Sequence, residues 1–280
     1  MRELDVKVIT ENVAEMCKEA AYYLPDDVYR GLKRGRETEK SEVGKIVLDQ
    51  IIKNAEIAKA EDRPYCQDTG MTIVFLKVGQ DLHIVGGDLN EAVNAGIAKG
   101  YTEGYLRKSV VSEPLFNRVN TKNNTPGVIY TEIVPGDQLD ITIAPKGFGS
   151  ENKSGIAMLV PADGVRGVKK AVMEIILHAS MNPCPPMVVG IGIGGTMDRA
   201  ALLSKKALTR SIDERNPMPE YAKLEEELLE MINSTGIGPQ LGGTTSALAV
   251  NIEWAPTHIA GLPVAVTICC HAMRHSHRVL

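Results

Sequence analysis

The chain has 280 residues, 44% of them hydrophobic and 24% charged, which suits a globular protein with a large core, built as one big domain or two lobes sharing an interface. A net charge of −4 and an aromatic content of only 4% speak against nucleic acid or an anionic membrane surface as partner. No apolar run approaches the roughly 18–20 residues that span a bilayer.

The N-terminal stretch MRELDVKVITENVAEMCKEAAYYL mixes charges with apolar residues at helical spacing, at Val8, Ile9, Val13, Met16, Cys17 and Ala20. It predicts a helix and not a signal peptide, and with it a cytoplasmic location. A second helical pattern runs from Ser41, a candidate cap, to Ala60. Residues 72–78 (TIVFLKV) form the first convincing strand, and a further helical pattern lies near 89–106. GVIYTEIV (127–134) and LDITIAP (139–145) are rich in β-branched residues and are joined by the Pro-Gly-Asp turn at 135–137. After the loop KGFGSENKSG comes an apolar run at 156–160, then a long helix at 165–181, the turn NPCPP, and the strand MVVGIGI. A charged amphipathic helix spans about 219–233, and ALAVNIEW and LPVAVTICC are the last strand-like runs. The expected fold class is α/β, with mixed β-sheets flanked by helices.

Five cysteines, an odd number, look like reduced thiols or metal ligands and not a disulfide framework. Cys17 lies on the apolar face of the first helix and reads as a small core residue. Cys66 sits between Pro64 and the turn at 68–70, Cys184 is wedged into Asn182-Pro-Cys-Pro-Pro186, and Cys270 ends a strand just before His271. These three fall at loops or element ends, where side chains can converge, and the flanking prolines fix backbone direction. If they converge, two readings are open. One is a zinc site completed by His271, His275 or His277. The other is an iron–sulfur cluster held by three cysteines, which leaves one iron open as a Lewis acid.

Two competing motifs carry less. Gly190-Ile-Gly-Ile-Gly-Gly195 satisfies GxGxxG after a strand and before a helix, but KKALTRSI, ahead of Asp213, makes a poor second strand for a dinucleotide fold. Cys270-His271 could be a thiol with its base, yet strand neighbours point to opposite faces.

Taken together, CQDTG (66–70), LRKSVV (106–111), NTPGVIY (124–130), KGFGSENKS (146–154), NPCPP (182–186), GIGGTMDRA (192–200), GGTTSALAV (242–250) and the stretch from THIAGLPVA to CCHAMR (257–274) resemble one family. It is that of the iron–sulfur (class I) fumarate hydratases and the related L-tartrate dehydratases, in the α subunit of the two-subunit form. The resemblance implies a class I fumarase α-domain fold, a single hydro-lyase domain over 1–280 whose helical N-terminal third, about 1–62, packs on the α/β body. It implies a [4Fe–4S] cluster on Cys66, Cys184 and Cys270, with Cys270 preferred over Cys269 because the family's third cysteine directly precedes His-Ala. By the same carry-over Gln67 and Asp68 line the substrate pocket, Arg107 binds a substrate carboxylate, Gly149 offers a backbone contact, and His258 stands near the reacting hydroxyl. Phe148 departs from the family's three glycines and must find room beside the site.

The chemistry is consistent with this set. Loss of water from a 2-hydroxy diacid needs a Lewis acid for the leaving oxygen and a proton delivered to it, for which Asp68 and His258 are candidates. A guanidinium such as that of Arg107 donates two parallel bonds to a carboxylate. No residue stands out as the base for the C3 proton. The resemblance puts that base on a separate β subunit, in an α2β2 assembly that hydrates fumarate reversibly to (S)-malate. L-Tartrate and mesaconate are the alternative small dicarboxylate substrates, and a non-catalytic subunit with a structural Cys3His zinc site is the reading from another class.

Overall fold

The structure is a computed structural model that describes residues 2–280. It separates into two compact units, each assembled from discontinuous segments. The first takes residues up to 24, then 55–148 and 274–280; the second takes 25–54 and 149–273.

In the first unit, helix α1 (Val6–Tyr22) opens on Asp5, whose carboxylate accepts from the Lys7 N–H at 2.8 Å. Its buried stripe includes Ile9, Val13, Met16, Cys17 and Ala20, as the spacing predicts, while Val8 is exposed. Helix α4 (Leu89–Glu103) starts on the Asp88 cap and lies against α1. Two glycines allow that approach: a Cβ on Gly96 would lie 2.6 Å from Val13 Cβ, and one on Gly100 would lie 2.6 Å from the Ala14 carbonyl oxygen. The helices cover a sheet in which β2 (Met71–Gly79) is flanked by β5 (Leu139–Lys146) and β4 (Val128–Val134), with β10 (Ser276–Val279) beyond β5. Strand β5 alternates buried and half-buried positions, placing Leu139, Ile141 and Ile143 in the core with Val74 and Leu76 of β2. Strands β4 and β5 follow one another in sequence but do not pair. β4 runs parallel to β2 and β5 antiparallel to it, and the Pro-Gly-Asp link arches over the end of β2, where Gly79, Gln80 and Asp81 donate to the carbonyls of Gln138, Val134 and Gly136. A small parallel pair, β1 (Arg2–Asp5) with β3 (Leu82–Val85), completes this unit's strands.

The second unit is built on the sheet β6-β9-β7-β8, formed by Gly155–Leu159, Leu262–Cys269, Met187–Gly194 and Ala247–Ala255. Strand β7 is buried along its whole length, parallel to β8 and antiparallel to β9, which explains its unbroken apolar sequence. Gly190 and Gly192 of GIGIGG serve helix packing here. A Cβ on Gly190 or Gly192 would come within 2.1 or 2.0 Å of backbone oxygens of Ser204 and Ala200 in α7 (Met197–Ala207). Asp213 follows a turn and is ion-paired at 2.7 Å to both Arg30 and Arg34 of α2 (Asp26–Thr38). Helices α6 (Gly164–Ala179) and α8 (Pro219–Asn233) add Val172, Ile176, Leu228 and Ile232 to the core.

Between α2 and α3 (Glu42–Glu61), buried Glu39 receives N–H donors from Lys40, Ser41, Thr244 and Thr245. Burial alone would push this carboxyl up; the donors of Ser41, Thr244 and Thr245 outweigh it and hold the pKa at about 2. Ser41 caps α3 as expected, accepting from the Gly44 N–H at 3.2 Å. Among the described residues, no helix is long and apolar enough to cross a membrane.

Candidate functional site

The CQDTG turn belongs to the first unit and is fixed from several sides. Ahead of it, Tyr65 is pinned to the end of α1, its N–H donating to Ala21 O and its hydroxyl to Ala20 O, both at 3.1 Å. Within it, the Asp68 carboxylate accepts the Gly70 N–H at 3.0 Å through Oδ1 and the Phe148 N–H at 2.9 Å through Oδ2. Its backbone carbonyl accepts from buried Arg274. Gly70 has φ of +76°, and a Cβ there would meet the Lys146 backbone at 2.7 Å, so position 70 admits only glycine without strain.

Three buried side chains hold the turn against its neighbours. The Tyr101 hydroxyl donates to Thr69 O at 2.7 Å. Asn124 donates to Gly70 O at 3.1 Å and accepts from the Ser109 N–H at 2.7 Å. Thr69 Oγ1 donates to Arg107 O at 2.9 Å. Sequence reasoning missed these roles of Thr69, Tyr101 and Asn124. Thr69 and Asn124 left a trace, the one inside CQDTG and the other as an asparagine just before Thr-Pro, and Asn124 occupies a left-handed conformation with φ of +61°.

The consequence is a cleft of about 560 Å³ lined by Cys66, Gln67 and Arg107, with Arg63, Tyr22 and Tyr105 among its walls. Thiol, amide and guanidinium thus face one space. Arg107 is exposed and enters no ion pair among the described residues, so its fork is available to an anion. Asp68 sits just behind this wall, half-buried, with its two N–H donors leaving further lone pairs on the carboxylate.

The second unit carries the remaining predicted residues. Cys184 is exposed and left-handed, with φ of +54°. Its carbonyl oxygen accepts two bonds from His271, from the backbone N–H at 3.2 Å and from Nδ1 at 3.0 Å. The turns of Cys184 and Cys270 are thereby linked. Cys270 follows the last residue of β9 and is half-buried, whereas Cys269, still within the strand, is buried. His258 is exposed in the link from β8 to β9, and its Nδ1 accepts the Ala260 N–H at 3.2 Å, which leaves the neutral ring's proton on Nε2. Gly149 is exposed in the four-residue helix α5 (Phe148–Glu151), and nothing lies within 4 Å of where its Cβ would be. Phe148 is 48% exposed, so its ring finds room at the surface.

Among the described residues, no three or more His, Cys, Asp or Glu side chains are gathered as a metal site. The donor set still suits a soft, thiolate-bound group. None of the five cysteines is in a disulfide, and Cys66, Cys184 and Cys270 are the three with exposure, while Cys17 and Cys269 are buried. Burial pushes the Cys17 thiol up to about 12, only partly offset by its bond with Thr72, so it is a core residue.

Residues 10–279 match the family model described as Fumarate hydratase (Fumerase). The chain belongs to the fumarate hydratase family. Its match to this family of water-adding and water-removing enzymes covers both units described above. Among its relatives is a Methanocaldococcus jannaschii protein named "Putative L(+)-tartrate dehydratase subunit alpha", 45% identical over 96% of each chain. Another is the L(+)-tartrate dehydratase subunit alpha of Escherichia coli, 36% identical over 96% of this chain and 89% of the relative.

Proposed function

We propose that this fumarate hydratase family chain is the α subunit of an iron–sulfur hydro-lyase acting on a small dicarboxylate, with fumarate and (S)-malate as the reacting pair. The observation that carries the reading is the single cleft onto which Cys66, Gln67 and Arg107 open. Cys66, Cys184 and Cys270 would hold a [4Fe–4S] cluster, which when bound supplies an open, Lewis-acidic iron for the hydroxyl oxygen.

The chain's own residues would do the rest of this half of the reaction. Arg107 binds one carboxylate through its planar fork, and the bond from Thr69 to its carbonyl fixes where the side chain starts. Gln67 supplies an amide to the substrate, and the Gly149 N–H an uncrowded main-chain contact. His258 would donate a hydrogen bond from Nε2 to the reacting hydroxyl, and Asp68 is the second candidate for handling its proton. No base for C3 is assigned in this chain. We place it on a β-type partner, consistent with relatives named as subunits alpha, in an α2β2 enzyme of the reducing cytoplasm.

The names of those relatives favour a second reading for the same site, dehydration of L(+)-tartrate. Fumarate and tartrate chemistry differ at hydroxyl groups, and a site built to bond a hydroxyl rejects an analogue lacking it by orders of magnitude. The test is anaerobic preparation of the chain with and without its β-type partner, followed by assay on fumarate, L(+)-tartrate and mesaconate. About four irons with labile sulfide per chain, and turnover only in the pair, are expected. One tightly bound zinc, or full activity of the chain alone, would overturn the proposal.

A further inference from the structure

The NPCPP turn and the CCHA segment lie far apart in sequence, yet one residue joins them, and it is not one of the thiols. His271 grips the carbonyl of Cys184 twice, through its backbone N–H at 3.2 Å and its ring Nδ1 at 3.0 Å. A carbonyl oxygen only accepts, so Nδ1 carries the proton in this contact. Cys184 is a non-glycine residue at φ of +54°, a conformation that costs on the order of 1 kcal/mol and persists only when its surroundings fix it. Along the chain, the turn has the Cys184 N–H donating to Met181 O at 3.2 Å. Across the fold, His271 binds the other end of the same residue.

We infer that His271 is a positioning residue for the cluster site. It holds Cys184 in its left-handed conformation and sets the spacing between the Cys184 and Cys270 thiols, without itself contributing a ligand. This deepens the cluster reading of the proposed function and rests on it. His271 is the immediate neighbour of Cys270, so one side chain couples the two turns with no flexible spacer between. Outer partners of this kind typically change metal retention by about 10–100-fold when removed.

The chemistry of the contact supplies its own control. An asparagine amide nitrogen sits where Nδ1 does, two bonds from Cβ, and can donate to the same carbonyl. A glutamine amide reaches one bond further and cannot copy that geometry, and alanine removes the donor. The experiment compares His271→Asn, His271→Gln and His271→Ala in the full chain with its partner, prepared anaerobically. Loss of iron to a chelator should be at least tenfold faster in the Gln and Ala variants and within about twofold of wild type in the Asn variant. Equal retention in all four proteins, or equal loss in Asn and Gln, would overturn the assignment.

A second readout on the iron-free chain separates this inference from the cluster reading. Hydrogen exchange at the Cys184 and His271 amides should speed up at least fivefold in the Gln and Ala variants only. If wild type takes up no iron but this exchange pattern holds, the grip on Cys184 stands and the cluster reading fails. If exchange is unchanged in the Ala variant, the grip does not hold the turn and the inference fails.

Discussion

Thr69 and Arg107 are joined directly, the threonine hydroxyl donating to the arginine's backbone carbonyl at 2.9 Å. The bond makes one piece of the turn that presents Cys66 and Gln67 and the segment that presents the guanidinium. Thr69 is 1% exposed, so its hydroxyl has no water to fall back on. Thr69→Val keeps the shape and removes the donor, at a cost of about 1 kcal/mol. If Arg107 binds a substrate carboxylate, KM should rise about fivefold with kcat and iron content unchanged, and Thr69→Ser should restore it. A fall in kcat at constant KM would show that the bond serves something other than binding.

Two glycines near the site should behave oppositely. Gly70→Ala must adopt φ of +76° and meet the Lys146 backbone at 2.7 Å, so it should lose about 2–4 kcal/mol of stability in denaturant titration. Gly149→Ala meets nothing within 4 Å and should leave the unfolding midpoint unchanged. Any loss of turnover in Gly149→Ala then reports crowding of a bound substrate and not a damaged fold.

Glu39 gives a pH signature. Its folded pKa of about 2 lies below the ordinary 4.5, so its ionised form stabilises the native state above the unfolded value. That contribution is lost as pH falls from about 5 toward 2. At neutral pH it amounts to about 3 kcal/mol. Glu39→Gln should therefore be destabilised by an amount of that order at pH 7, and the gap to wild type should close across that window. Parallel stability curves for the two proteins would show that Glu39 does not anchor the 244–245 loop electrostatically.

Thiol labelling sorts the cysteines. With its pKa raised to about 12, buried Cys17 has almost no thiolate at pH 8, and Cys269 is buried in β9. Brief alkylation of the native, iron-free chain should modify Cys66, Cys184 and Cys270 and spare the other two, as read by peptide mass spectrometry. Protection of all three when the cluster is loaded would tie them to it; continued labelling of any one would remove that cysteine from the ligand set.

Cys66→Ser and Asp68→Asn probe adjacent residues with different expected outcomes. Cys66→Ser should abolish the iron-dependent colour. Asp68→Asn should keep it and lose turnover, but it also sets an amide NH2 against one of the two N–H groups that the carboxylate now accepts. A stability loss of about 1–3 kcal/mol should accompany it, so unfolding must be measured beside activity. Equal iron content and equal rates in the two variants would contradict separate roles for these neighbours.

Most elements were legible where one period dominates. Helix α8 falls where its pattern puts it, at Pro219–Asn233, and β7 is the buried strand that MVVGIGI announces. Short polar strands were not: β1 (RELD) and β10 (SHRV) have no alternation to read and are defined by their partners. The pairing of β2 between β4 and β5 was equally hidden, because a turn sequence reports a change of direction and not which strand lies alongside. For the candidate site, motif words pointed to Cys66, Gln67 and Arg107, which share a cleft. The bonds from Thr69 to Arg107 and from His271 to Cys184 end on backbone carbonyls, which every residue has, so no side-chain pattern could announce them.

The place of β10 has a consequence for how the protein is made. Ser276–Val279 pairs with β5, Ser276 opposite Ile143, and all of residues 149–273 belong to the other unit. At about 5–20 residues per second, a ribosome needs on the order of ten seconds to synthesise that intervening stretch. Through that interval β5 has an open edge on the side where β10 will pair, the kind of edge at which nascent chains associate wrongly. The unit bearing the Cys66 cleft is thus mostly translated early but completed late.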